Sequence, residues 1–252
     1  MTPHPSHPTR LITIPFSHFC EKARWALDRA AVAYEEDAHA PLFHARATLK
    51  ATQGKSRTTP ILIDGARTIT DSTEILQHLA DHHGATWLYP SPDVLAFEES
   101  LDKHFGPAVR CLGYYHMLPH RKSTMQMFRS HTPRWESAAL GVIFPVARAL
   151  MRKGLRINDK GADWSRQAIA KTTDEVNALL SDGRPYLFGD HFSAADLTFA
   201  ALASPLIQPP EHPRFPSADD VPPALAAELL VFQSSPAAAF ARRMYTDERR
   251  SA

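Results

Sequence analysis

Residues 11–27, Leu-Ile-Thr-Ile-Pro-Phe-Ser-His-Phe-Cys-Glu-Lys-Ala-Arg-Trp-Ala-Leu, constrain the fold more than any other stretch of the 252-residue chain. Leu11 to Ile14 read as a short apolar strand. A tight turn follows, and then a helix that begins at Ser17 or His18. Serine is a favoured residue at the start of a helix because its hydroxyl satisfies an otherwise free N–H of the first turn. Phe19, Ala23, Ala26, Leu27 and Ala30 recur at helical spacing and give the helix a buried face. A hydroxyl and a thiol three residues apart, Ser17 and Cys20, therefore sit where a helix presents partial positive charge, a place that favours an anion. That anion is a thiolate, either of Cys20 itself or of a thiol ligand.

The next sixty residues alternate strand and helix. Val32 to Asp37 form a second strand, and residues 41–52 a short or irregular helix. Ile61 to Gly65 and Ala66 to Ile69 make a hairpin across an Asp-Gly turn. A helix over Ser72 to His83, capped by Asp71 or Ser72, closes the unit. The order βαβαββα is the thioredoxin-like arrangement, so residues 10–85 are expected to form an α/β domain behind a loose tail, 1–9, rich in proline and histidine. Residues 86–92 read as a linker.

Beyond the linker strand signals vanish, and 93–252 are expected to be an all-α helical bundle. Val94, Phe97, Leu101, Phe105, Val109 and Leu112 mark one long amphipathic helix that Gly106-Pro107 should kink. Residues 135–155, with Pro145 as a second kink, and 164–180 follow. Ser193 and Asp196 form a capping box, with Phe192 and Leu197 as its hydrophobic staple. That helix should run from Ala194 to Ser204 and stop before Pro205. A proline-rich crossing, two short helices and a frayed end at 248–252 complete the chain.

A net charge of +1 offers nothing to nucleic acid or to an anionic membrane. No apolar run approaches the ~20 residues of a membrane span. The N-terminus lacks the apolar core of a signal peptide, and two cysteines fit a reducing compartment, so a cytoplasmic location is expected.

Three segments together resemble the glutathione transferase family of the cytosolic type. Ser-His-Phe-Cys-Glu-Lys-Ala-Arg-Trp-Ala-Leu is similar to the family's first active-site segment, in a Ser-x-x-Cys form. Asp71-Ser72 resembles its acid–serine pair, with aspartate where most relatives have Glu or Gln. Residues 184–197 resemble its C-domain signature. The resemblance implies a homodimeric, detoxification-type enzyme with glutathione as co-substrate. In that reading Ser17 is catalytic and stabilises the glutathione thiolate. Thr59 pairs through its backbone with the cysteinyl unit, ahead of a cis Pro60, while Asp71 and Ser72 hold the γ-glutamyl end. Lys55 or Arg57 meets the glycyl carboxylate, or else both are solvated surface charge.

The second substrate is a small hydrophobic electrophile, for which His18, Phe105, Tyr114 and Tyr115 are candidate pocket residues. His18 either assists proton transfer at the mouth of the site or is simply exposed, and the aromatic residues are equally an interhelical core. Cys20 is either a buried residue of the inner helix face or a second catalytic group, in which case the chemistry becomes glutathione-dependent thiol transfer or reduction. A non-catalytic binding or assembly role on the same fold is the remaining alternative. His78 with His82, and His116 with His120, have i, i+4 spacing but no evident third ligand, so no metal is expected.

Overall fold

The computed structural model describes residues 8–129, 131–212 and 221–249. Most of the expected tail, the 213–220 part of the proline-rich crossing, and residues 250–252 of the expected frayed end lie outside the described residues. The N-terminal unit runs β1 (Arg10–Thr13), α1 (His18–Arg29), β2 (Glu35–Ala38), α2 (His44–Ala51), β3 (Ile61–Asp64), β4 (Arg67–Ile69) and α3 (Ser72–His82). Its four strands form a thioredoxin-like mixed sheet in the order β2-β1-β3-β4. β1 pairs in parallel with β2, Leu11 opposite Glu36, and antiparallel with β3, Leu11 opposite Leu62. Leu11, Ile12, Ile61 and Leu62 are wholly buried, with Leu27, Ile75, Leu76 and Leu79 of α1 and α3 packed around them. Across the hairpin, Gly65 takes the left-handed φ of 58° that a two-residue loop requires.

β2 begins later than the pattern predicts. The C-terminal turn of α1 consumes Ala30 to Val32: Ala31 adopts φ 54°, and the Val32 N–H returns to the Leu27 carbonyl. The strand left over is Glu-Glu-Asp-Ala, whose charge suits a sheet edge.

The second unit is helical throughout: α4 (Pro92–Ser100), α5 (Gly106–Met117), α6 (Arg121–Arg129), α7 (Arg134–Gly154), α8 (Asp159–Leu179), α9 (Ala194–Ile207), α10 (Pro223–Gln233) and α11 (Pro236–Glu248). The kink expected at Gly106-Pro107 is a π-helical turn over Leu101–Phe105, set between α4 and α5. Proline has no N–H and crowds the carbonyl four residues back, and a wider turn ahead of it relieves both problems. α7 runs unbroken through Pro145, and α6, which the sequence does not announce, precedes it.

α9 is buried almost all round and forms the centre of the bundle. The Asp196 carboxylate accepts the Ser193 N–H and hydroxyl, each at 2.8 Å, and the Leu187 N–H at 2.8 Å. The capping box therefore also fixes the preceding loop. Phe192 packs against Trp25, Trp87 and Tyr186. The helix does not stop before Pro205 but continues to Ile207. A proline costs it one hydrogen bond, and close packing on several helices offsets that loss.

The two units meet chiefly where α1 lies on α9. Trp25 is wholly buried there, its ring 4.8 Å from that of Tyr245. Glu21 of α1 is buried between Arg24 Nε at 3.0 Å and Arg249 Nε at 2.8 Å, with His212 Nε2 at 3.6 Å. Burial pushes its carboxyl up, but the charges of His212, Arg24 and Arg249 outweigh that and hold it at about 2. At the far side, Glu136 in the first turn of α7 accepts the Ala40 N–H at 2.7 Å and meets His39 Nδ1 at 2.7 Å. Among the described residues, no single helix is long and apolar enough to cross a membrane.

Candidate functional site

Ser17 stands at the N-terminus of α1 with extended backbone, φ −73° and ψ 121°, and its Oγ faces the Cys20 N–H at 3.4 Å. A tight turn holds it, the Ser17 N–H donating to the Ile14 carbonyl at 3.0 Å. The hydroxyl opens on a cavity of about 350 Å³ between the two units. Ile14, Phe16, Ser17, His18, Thr58 and Thr59 line it from the first unit; Arg110, Tyr114, Met117, Leu155 and Leu229 are among those lining it from the second. The Thr59–Pro60 peptide is cis. Thr59 reaches the same cavity as Ser17, 42 positions earlier in the chain.

Cys20 does not share that access. It is wholly buried, and burial raises its thiol above the ordinary range against the opposing pull of Arg24 and of hydrogen bonding with Ile14, Ser17 and Thr59. A protonated thiol with no route to solvent is a poor nucleophile, so the geometry favours the packing role for Cys20 over the catalytic one.

His18 is not exposed. It is buried, with Nε2 3.1 Å from the Gly106 carbonyl; a carbonyl only accepts, so Nε2 carries the hydrogen. Burial, reinforced by the Arg110 charge, pushes its pKa down to about 3, and the ring is neutral at physiological pH.

Of the aromatic candidates, Tyr114 lines the cavity. Phe105 does not: it is core, stacked on Phe199 at 5.4 Å. Tyr115 points elsewhere, its hydroxyl donating to Asp159 Oδ1 at 2.9 Å in a separate depression. Consecutive helical residues face about 100° apart, and the main cavity receives Tyr114 but not Tyr115. Of the α5 residues that line it, Arg110, Gly113, Tyr114 and Met117 follow the i, i+3, i+4, i+7 rule, with Val109 beside them. That face was readable in the sequence, and it would have added Arg110.

At the N-terminus of α3, Asp71 is exposed and acts as the cap, accepting the Thr73 N–H at 2.8 Å and the Glu74 N–H at 3.4 Å. Ser72 is buried, and its hydroxyl donates to Asp102 Oδ2 at 3.2 Å. Asp102 belongs to a buried cluster with Glu98, Thr73 and Lys22, the Lys22 ammonium reaching Glu98 and lying 2.6 Å from Asp102. Two carboxylates share this one cation, and burial raises Glu98 above its ordinary value. Asp102 Oδ1 is buried with no hydrogen-bond partner among the described residues. Sequence reasoning missed Asp102; its i, i+4 relation to Glu98 was the available signal. Lys55 and Arg57 are exposed on the loop before Thr59, and Pro60 is buried.

The histidines are arranged differently from their sequence spacing. His78 and His83, not His78 and His82, converge, each Nε2 2.8 Å from Asp64 Oδ2. Asp64, His78 and His83 are the one grouping of three metal-ligating side chains among the described residues. Their spacing is that of two imidazole N–H groups donating to one carboxylate.

A family model of the glutathione S-transferase N-terminal domain matches residues 11–87, and one of the C-terminal domain matches residues 144–227. The chain belongs to the glutathione S-transferase family. Solved glutathione transferases share the fold of this one. The human enzyme T1-1 in its apo form superposes with a TM-score of 0.60 at 17% identity, covering 96% of this chain and 84% of that one. The theta-class enzyme of Xanthomonas axonopodis pv. citri, solved with glutathione bound, gives 0.56 at 18%, covering 98% and 99%. A transferase of Methylobacterium radiotolerans in complex with glutathione sulfonate gives 0.56 at 19%, covering 97% and 95%. No curated protein matches the chain.

Proposed function

We propose that this glutathione S-transferase family member binds glutathione at the N-termini of α1 and α3 and activates its thiolate for attack on a small hydrophobic electrophile. The observation that carries the reading is the meeting of Ser17 and Thr59, from separate segments of the first unit, at one cavity whose other wall is mostly apolar. The backbone of Thr59, with neither N–H nor carbonyl paired among the described residues, is free to pair with the cysteinyl unit. This sets the sulfur beside Ser17. The Ser17 hydroxyl donates to the sulfur, and together with the positive end of α1 it favours thiolate over thiol. A thiol with an ordinary pKa near 8.5 then supplies more nucleophile at neutral pH.

The γ-glutamyl head belongs at α3. Asp71 occupies the Thr73 and Glu74 N–H groups, so the Ser72 N–H is the donor left for the carboxylate. The Ser72 hydroxyl is engaged with Asp102. Asp71, together with the unpartnered Oδ1 of Asp102, offers the negative charge that an ammonium needs. The exposed Lys55 is within the loop that would meet the glycyl carboxylate. Ser17 is the catalytic residue of this scheme, and the buried Cys20 takes no part in it.

Calorimetric titration of glutathione into wild type and Asp71→Asn tests the site. Asparagine caps a helix as well as aspartate does, so the variant removes the charge and keeps the fold. Saturable binding to wild type, weakened about tenfold or more in Asp71→Asn at unchanged melting temperature, is the expected result. No binding to the folded wild-type protein overturns the reading.

A further inference from the structure

Among the described residues, the cavity wall holds one charged side chain. Among its described lining residues there is no aspartate or glutamate, and the only cation is Arg110. His18 is held neutral there, and so is His44, whose pKa burial pushes below the ordinary value. Arg110 is half-buried, and its guanidinium lies 5.7 Å from the face of the Phe19 ring. Tyr114 and Cys111 are the groups that act on its charge, and neither is a carboxylate.

The more deeply buried arginines Arg24 and Arg249 are treated differently: Arg24 pairs with Glu21 and Glu36, and Arg249 with Glu21 and Asp28. A guanidinium withdrawn from water without a carboxylate is a cost the fold bears for some other return. Beyond Arg110 the positive field continues. A second depression shares Arg110, Gly154 and Leu155 with the cavity, and its other charged residues are Arg156 and Lys160.

We propose that the cavity takes a second substrate built as an apolar body carrying one oxyanionic group, a carboxylate, sulfonate or phosphate, and that Arg110 receives that group. Planar guanidinium donors match an oxyanion in a two-point hydrogen-bonded pair, and the apolar walls dehydrate it, which strengthens the contact. Specificity follows from the same geometry. A neutral analogue of the same shape leaves the guanidinium without a partner and binds less well. Arg156 and Lys160, exposed beyond Arg110, extend the attraction to longer acids whose head group passes it.

Calling this ligand a substrate rests on the transferase reading, whereas its binding does not, and the test separates the two. The probe is 8-anilinonaphthalene-1-sulfonate, an apolar body with one sulfonate, followed by its fluorescence without glutathione present. The competitors are 4-phenylbutyrate and the neutral 4-phenylbutan-1-ol. Saturable probe binding to wild type is expected, with the acid displacing the probe about tenfold or more better than the alcohol. Arg110→Met should remove that preference while leaving the alcohol's competition intact, and Arg110→Lys should keep part of it.

Equal competition by acid and alcohol on wild type overturns the proposal whether or not the variants fold. Absence of saturable probe binding, or an acid preference that persists in a folded Arg110→Met, does so too. Acid preference in a protein that fails to bind glutathione would sink the transferase reading alone and leave the anion site standing.

Discussion

Glu21 shows how one residue can set the acid limit of the molecule. Its carboxyl sits at about 2 in the folded protein against 4.5 for the free group, because three basic side chains surround it. The stability it contributes is full above pH 4.5 and is lost as pH falls toward 2. His18 acts in the same direction from a higher pH. Its folded value of about 3 lies below the ordinary 6.5, so the native state begins to lose ground once the unfolded ring takes up a proton below pH 6.5. Glu21→Gln, which leaves Arg24 and Arg249 short of a partner, should cost about 3 kcal/mol in urea unfolding at pH 7. The gap between variant and wild type should close as pH falls from 4.5 to 2. A constant gap across that range would remove Glu21 from the account. Residues of this kind were only partly legible in the sequence. Ser17 as a helix cap was, because short-range chemistry places it, whereas the role expected of Thr59 came only with the family resemblance. Asp102 and Arg110 left only a helical spacing as their signal, and each matters through what a distant element brings opposite it.

At the scale of elements the sequence spoke more clearly. Of the stripe Val94, Phe97, Leu101, Phe105, Val109 and Leu112, all but the half-buried Phe97 are buried as the spacing requires. Val109 also lines the cavity, whereas Phe105 is held in the core against Phe199 of a distant helix and is no pocket wall. α9 outran Pro205 for a comparable reason: local propensity gives way where tertiary packing surrounds a helix. Gly106 joins these elements. Its carbonyl accepts the His18 ring, and a Cβ built there would stand 2.5 Å from Phe19 Cζ and 3.2 Å from Leu202 Cδ1. α1 and α5 approach this closely only because the position has no side chain. Gly106→Ala should therefore cost about 1–3 kcal/mol, read as a lower urea midpoint. A gain in stability, as expected for alanine in an unhindered helix, would mean that Phe19 turns aside freely.

The whole molecule keeps its cavity only while both units are docked, since Ser17 and Thr59 come from one and Arg110 and Tyr114 from the other. The α1–α9 contact and the Glu136 clamp on Ala40 hold that docking from two sides. Neither was legible beforehand, because a contact between domains leaves no periodicity within either one. The burial of both cysteines carries a further consequence. A protein that handles glutathione also meets glutathione disulfide, and any accessible thiol near the site invites a mixed disulfide that would block it. Cys20 is wholly buried and Cys111 is 5% exposed. On the proposed glutathione-binding function, the molecule is thereby insulated from the redox state of its ligand. Ellman's reagent should find almost no reactive thiol in the native protein and two after unfolding, and prolonged exposure to glutathione disulfide should leave its mass unchanged.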